Sequence, residues 1–489
     1  MSDQTTPENT TSETGTPLHT EALHTEGHDP GVPEAYAAFM RQGWGERDLD
    51  LPRHPVSEWA RARRERLATQ FPGERLVVPS GTFKVRANDT DYRFRSDTAH
   101  THLTGNQTSD AVLVIEPDGS SVLYARPRSS RDTDEFFRDR QYGELWAGRR
   151  PSLDEISASL GLATRHIDEL EGALGSSAKT RVLRGVDARV DGLVGADQGR
   201  DHELARVLSE LRLVKDAWEI DELAHACDIT TLGFEDSVRE WDRVLEFGER
   251  WIEGTFFRRA RAMGNDIGYD SIVGGGSHAT TLHWIDNTGP ITPGELVLLD
   301  MGAEASSLYT ADVTRTLPVD GTFTSLQRDL YEIVLRAQDA GIAAVRPGAD
   351  FKAAHHAAMS VLAHALEDLG LLPCSAEESL DPESRVYARW TLHGTSHMLG
   401  MDVHDCASAA QEVYPDGVLE EDMVLTVEPG LYFQEDDLLV PEELRGIGIR
   451  IEDDIVVTAD GPRNLSGALP REPAAVEEWM AALRGRLDR

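Results

Sequence analysis

The chain has 489 residues, 86 of them acidic against 48 Lys and Arg, for a formal net charge of −38. Such a field repels phosphate backbones and anionic membrane surfaces, and no local basic patch offsets it, which argues against nucleic-acid and peripheral lipid binding. At 40% hydrophobic and 27% charged residues the composition is that of a globular protein of two or three domains.

No apolar run approaches the ~20 residues that a bilayer span needs. The N-terminus lacks the basic and apolar regions of a signal peptide. Cys227, Cys374 and Cys406 cannot pair completely and show no CxxC spacing, so a reducing compartment and a cytoplasmic location are expected. Residues 1–32 are rich in Thr, Glu, Pro and Gly and too poor in large apolar side chains to offset ordering entropy; they read as a disordered tail. Its His19, His24 and His28 read as solvated side chains and not as a metal tract.

Globular patterning begins near residue 33, where Trp59, Leu67 and Phe71 punctuate an Arg-rich helical stretch. Leu76 to Val78 reads as a strand. Ala111–Ile115 and Ser121–Ala125 read as two more, joined by a Glu-Pro-Asp-Gly-Ser turn of hairpin chemistry. Helical periodicity returns around Ser152 to Leu160. These alternations predict an α/β first domain over 33–212, followed by a long helix from about Lys215 to Trp241. In the second domain, 213–489, apolar strand-like runs at Glu295–Leu299, Met423–Val427 and Ile447–Val457 bracket two helices. The first opens on a capping-box pattern at Thr324–Gln327 and stops at Arg346-Pro347-Gly348. The second runs from about Phe351 to Gly370. This order predicts an α+β domain with helices over a mostly antiparallel sheet.

Polar residues interrupt these strands where packing alone would not place them. Asp300 ends one apolar run and Glu428 another, and the period of two sets Arg450 and Glu452 on one face opposite Ile449 and Ile451. Any one of these acids reads well as a turn residue or half of an ion pair; together they suggest a site, because a buried acid is costly unless paired or bound to a cation. The segment His393–Asp405 adds three histidines, His393, His397 and His404, with Gly394 and Gly400 breaking any helix and Met398, Leu399 and Val403 suggesting burial. Carboxylates of this kind with an imidazole form a hard donor set suited to Mn²⁺, Mg²⁺, Co²⁺ or Zn²⁺. Two divalent ions neutralise such a set better than one. A pair about 3.5 to 4 Å apart can activate a hydroxide and polarise a carbonyl, which is hydrolase chemistry.

Five segments in order, Asp300, Ala311–Thr316, His393–Asp405, Thr426–Gly430 and Gly446–Asp454, resemble the ligand-bearing motifs of the creatinase-fold metallopeptidases, most closely aminopeptidase P. Asn88–Asp97 and Leu103-Thr104-Gly105 are similar to the N-terminal domain of that family. The resemblance spans about residues 75–465. It implies a creatinase-like N-terminal α/β domain followed by a pita-bread catalytic domain, and an enzyme that releases the first residue from peptides with proline second. By resemblance Asp312 and Glu452 bridge two ions, most often Mn²⁺, Asp300 completes one, and His397 and Glu428 complete the other. Glu428 also serves as general base. His283 matches the histidine that steadies the tetrahedral intermediate, and His393 and His404 line the scissile carbonyl and the proline pocket. Tyr432 and Arg450 are implied hydrogen-bonding partners, though they read equally well as a core-edge tyrosine and an ion-paired arginine. The partners implied are Xaa-Pro peptides and further copies of the chain, in a dimer or tetramer.

Two departures stand out. One residue more than the family spacing separates Asp300 from Asp312, placed in the turn around Ala303–Leu308, and His100-Thr101-His102-Leu103 stands where the family often has an aromatic-rich stretch, which bears on how the first substrate residue is held. Prolidase, which cuts only Xaa-Pro dipeptides, is the nearest alternative; a catalytically silent binding member of the fold is the other.

Overall fold

The computed structural model describes residues 31–45, 47–175 and 178–484, so most of the Thr- and Glu-rich tail with its three histidines lies outside the described residues. The chain divides into two compact units between Ala205 and Arg206.

In the first unit a five-stranded mixed sheet runs in the order Ala163–His166, Ser121–Ala125, Val112–Ile115, Arg75–Pro79 and Thr180–Val182. The expected hairpin is present, antiparallel from Val112↔Tyr124 to Ile115↔Ser121, and Gly119 takes a φ of 85° to close it. The helix Ser57–Gln70 buries Leu67 against the unit's interior. Two of its arginines are buried for a different reason. Arg63 and Arg64 donate to the carbonyls of His102 and Leu103 at 3.0 and 2.7 Å, satisfying the otherwise orphaned C-terminal end of the helix Thr98–Thr104. That helix carries His100-Thr101-His102 wholly inside the unit, where burial pushes His100 down to about 4 and its Nδ1–H meets the Val78 carbonyl at 2.9 Å.

The second unit is built from antiparallel pairs. Leu296–Met301 is the central strand of three, flanked by Ile272–Gly275 and Val313–Pro318; Asp453–Val456 is central to another three, beside Val424–Val427 and Arg463–Asn464. Leu296–Met301 is buried along its whole length, and each Val or Leu so buried contributes about 1.5 to 3 kcal/mol, enough for the strand to carry a costly acid. Four long helices, Ala217–Arg239, Glu249–Met263, Ser325–Ala344 and Ala353–Asp368, supply much of the remaining core. Thr324 and Gln327 form the expected capping box.

The run Ile447–Val457 differs from expectation. It is two strands, Ile447–Arg450 paired with Gly430–Phe433, and Asp453–Val456 paired with Val424–Val427. The ladder breaks at Ile451-Glu452 because the partner chain breaks at Glu428-Pro429, where proline has no N–H to offer. The Glu452 amide turns instead to the Thr314 carbonyl at 3.1 Å.

Candidate active site

Asp300, Asp312, His397, Glu428 and Glu452, the five residues expected to hold metal, all line one cavity of about 490 Å³ in the second unit, together with His283, His393, His404 and Arg450. Backbone register accounts for the convergence. Asp300 stands opposite Thr314 in the antiparallel ladder, so Asp312, two residues from Thr314, returns to the same face. Gly302 permits this closure, since a Cβ there would lie 1.8 Å from the Ala311 carbonyl oxygen. Between the two acids Leu308 takes a φ of 72°, unusual for a branched residue, and its side chain is buried beside Tyr309 and Leu399. His397 enters on a segment bonded along Val424–Val427: its amide donates to Thr426 Oγ1 at 3.2 Å, and the Thr426 amide donates back to its carbonyl at 3.0 Å.

The electrostatics are those of acids crowded together out of water. Burial lifts Asp300 above the ordinary carboxylate range against the pull of Arg450, lifts Glu428 to about 7 against that of His397, and lifts Glu452 well above its usual value with help from Asp312. Burial alone would lower His397, but its Nε2 lies 3.2 Å from Asp312 Oδ2, and this pairing pushes it up to about 9. Asp312, His397 and Glu452 each offer a ligand atom, all within 4.8 Å of one another. His397 Nδ1 donates to the Met398 carbonyl at 3.3 Å, which leaves Nε2 aimed at the acids, the usual arrangement of a metal-binding histidine. The residues present therefore fit hard divalent cations: a donor set that is electrostatically frustrated by itself is relieved by positive charge.

Arg450 lines the cavity and is ion-paired there. Its guanidinium donates to Asp300 Oδ2 at 2.5 Å, to Thr314 Oγ1 at 3.2 Å and to Tyr432 Oη at 3.0 Å. Tyr432 Oη in turn lies 2.8 Å from His393 Nε2, and His393 Nδ1 lies 2.8 Å from the Gly394 carbonyl. Because a carbonyl only accepts, Nδ1 carries the proton and Nε2 takes the tyrosine's; burial and then Arg450 keep this ring neutral, down to about 4. Both His393 nitrogens are thus committed. By contrast, among the described residues no side chain or backbone group hydrogen-bonds the rings of His283 or His404. The His404 ring meets that of His397 edge-on at 4.4 Å, and burial and then that neighbour lower its pKa.

Several participants were not legible in the sequence. Tyr269 lines the cavity and sets its hydroxyl 2.6 Å from Oδ1 of Asp300 and 2.6 Å from Oδ1 of Asp312. Asp454 accepts the Asp312 amide at 3.1 Å and the Cys227 thiol at 3.2 Å, and Thr314 donates to Glu452 at 2.6 Å. Ile272, Leu282, Ile285 and Val403 give the cavity apolar walls. The His100–His102 helix, buried in the first unit, is not among these lining residues.

Residues 215–459 match metallopeptidase family M24, and residues 60–183 match the aminopeptidase P N-terminal domain. The chain is 52% identical to Xaa-Pro aminopeptidase 1 of Streptomyces coelicolor, over 99% of this chain and 100% of that one. It is 34% identical to the Xaa-Pro aminopeptidase of Haemophilus influenzae, over 87% and 97%. The solved structure of aminopeptidase P from E. coli with the inhibitor Pro-Leu matches with a TM-score of 0.77 at 30% identity, covering 88% of this chain and 100% of that one. With ligand motifs, cavity and both matched regions in agreement, the chain belongs to metallopeptidase family M24, in its aminopeptidase P group.

Proposed function

We propose that the chain is a Xaa-Pro aminopeptidase, releasing the first residue from peptides with proline second. The observation that carries this reading is the convergence of Asp300, Asp312, His397, Glu428 and Glu452 on a single cavity that also presents uncommitted histidines. The whole-length likeness to relatives of that name, and an N-terminal region over 33–212 that contains the aminopeptidase P match, favour it over prolidase.

Asp312 and Glu452 would each serve both of two divalent ions, with Asp300 completing one and His397 and Glu428 the other; the carboxylate-rich set suits Mn²⁺. Bound there, the ions supply Lewis acidity, making water a nucleophile near neutral pH and polarising the substrate carbonyl. Glu428, as a carboxylate, would accept the proton of the attacking water and return it to the proline nitrogen as the C–N bond breaks. His283 and His404 offer ring N–H groups to the oxygen on which charge develops. His393 acts through Tyr432 and Arg450 to hold Asp300 and the cavity wall in place. Homo-oligomeric assembly and a cytoplasmic location belong to the same proposal; they are compatible with three free cysteines and with the lack, among the described residues, of any helix long and apolar enough to cross a membrane.

The test is to offer metal-loaded protein Xaa-Pro, Xaa-Pro-Yaa-Zaa and the N-acetylated longer peptide, and to identify products by mass spectrometry. Release of the first residue from the free longer peptide, blocked by acetylation, is expected. Cleavage confined to dipeptides would transfer the assignment to prolidase, and efficient cleavage of Xaa-Ala peptides would overturn proline specificity.

A further inference from the structure

Glu249 lies outside the cavity and is fully buried, at 0% exposure, in the first turn of the helix Glu249–Met263. A carboxylate so placed needs several donors to offset its desolvation. It has four, and all come from one stretch of chain. Oε1 accepts from the Gly275 amide at 2.9 Å and from His278 Nδ1 at 2.8 Å; Oε2 accepts from Trp284 Nε1 at 2.9 Å and from the Gly289 amide at 2.6 Å. The His278 ring also stacks on Trp284 with centroids 3.9 Å apart.

That stretch carries Leu282, His283 and Ile285 to the cavity, yet His283 itself sits in no strand or helix. Asn287 fixes the far end by bonds to the Val273 amide and the Ser271 carbonyl, and Thr280 fixes the near end through Gln434. Between those anchors, the Trp284 indole bonded to Glu249 is immediately next to His283. We propose that Glu249 is a positioning residue: by binding both flanks of the segment and the indole beside His283, it sets where that imidazole stands in the cavity. The inference rests on the catalytic role given to His283 above.

Trp284→Phe deletes one donor and keeps an aromatic ring for His278, while Glu249→Gln keeps the shape and turns an N–H donor toward N–H donors. Trp284→Phe is expected to lower kcat about 10-fold with KM nearly unchanged, since a displaced group costs the transition state more than the ground state. In a His283→Ala background, itself down about 100-fold, the same substitution should cost nothing further. An undiminished second loss in the double variant would overturn the proposal. Amide hydrogen exchange supplies an arm independent of any substrate: both variants should exchange faster across 276–289, Trp284→Phe with the melting temperature of the chain little changed, and unchanged exchange there would overturn the proposal as well. If the wild-type chain released nothing from Xaa-Pro peptides, the substrate reading would fall, and the exchange result would still decide whether Glu249 holds the segment.

Discussion

Glu428 and Glu452 occupy facing breaks in two paired chain segments. Val427 pairs with Asp453 on one side and Gly430 with Arg450 on the other, so both acids sit where the ladder passes from one sheet to the next and both side chains line the cavity. An unbroken strand would have used these backbone groups in pairing. The break spends two hydrogen-bonding positions to bring two acids together.

Glu452→Gln and Asp312→Asn should each lower metal-dependent turnover by at least ~10³-fold, because each removes a carboxylate that the proposed mechanism uses for both ions. The metal-free fold should survive, and Glu452→Gln should melt no lower than the wild type, since burial already drives that carboxyl well above its ordinary pKa. Metal content by mass spectrometry and melting curves without metal check both statements. Full activity in a rigorously chelated sample would contradict them.

Tyr269 bonds two of the proposed ligands, and its hydroxyl makes no other hydrogen bond among the described residues. Tyr269→Phe should weaken divalent-metal binding ~10- to 100-fold, the usual cost of losing a group that orients ligands. Calorimetric titration with Mn²⁺ measures it directly.

His404→Ala should reduce kcat ~10²-fold while shifting the melting temperature by less than ~2 °C, because the residue is exposed and its ring nitrogens bond no described residue. A collapse in melting temperature with normal turnover per folded molecule would make the histidine structural.

Arg315 is a different case. Its side chain is 1% exposed and pairs with the wholly buried Asp453 at 2.7 Å, while also donating to the carbonyls of Glu452, Leu469 and Pro470. Arg315→Ala leaves a buried charge short of its partner and frees the Glu452 carbonyl; it should cost about 3 to 5 kcal/mol of stability in urea titration.

The pH dependence follows from His397. In the metal-free chain its proton is held to about 9, whereas in the unfolded chain it leaves near ~6.5. Folding therefore binds a proton between those values. The stability contributed by the pairing with Asp312 is complete below ~6.5 and is lost as pH rises toward 9. Below ~6.5 the buried neutral His100 and His393, each held at about 4, pull the other way. Melting temperatures of metal-free protein should fall from pH 6.5 to 9 and fall less steeply in His397→Ala, with the raised carboxyls of Glu428 and Glu452 supplying the remaining slope. Metal uptake in the same window should release protons, measurable by calorimetry in buffers of different ionisation enthalpy.

Local rules in the sequence determined a good deal. The hairpin at Glu116–Ser120, the capping box at Thr324 and the buried apolar strands follow from turn chemistry and periodicity, which act over a few residues. The residue types of the donor set, and their arrival in motif order, were likewise legible, because acids ending apolar runs are conspicuous. Only the tertiary structure decided how these pieces meet. That Ile447–Val457 is two strands depends on Glu428-Pro429 opposite it, a long-range partner that no local window contains. Tyr269 reaches Asp300 and Asp312 only because Ile272 pairs with Asp300 across the sheet, and Glu249 reaches the His283 segment only because a helix end abuts it. A carboxylate's cost on burial and its choice of partners are properties of the space around it, and that space is assembled from strands and helices far apart in the chain.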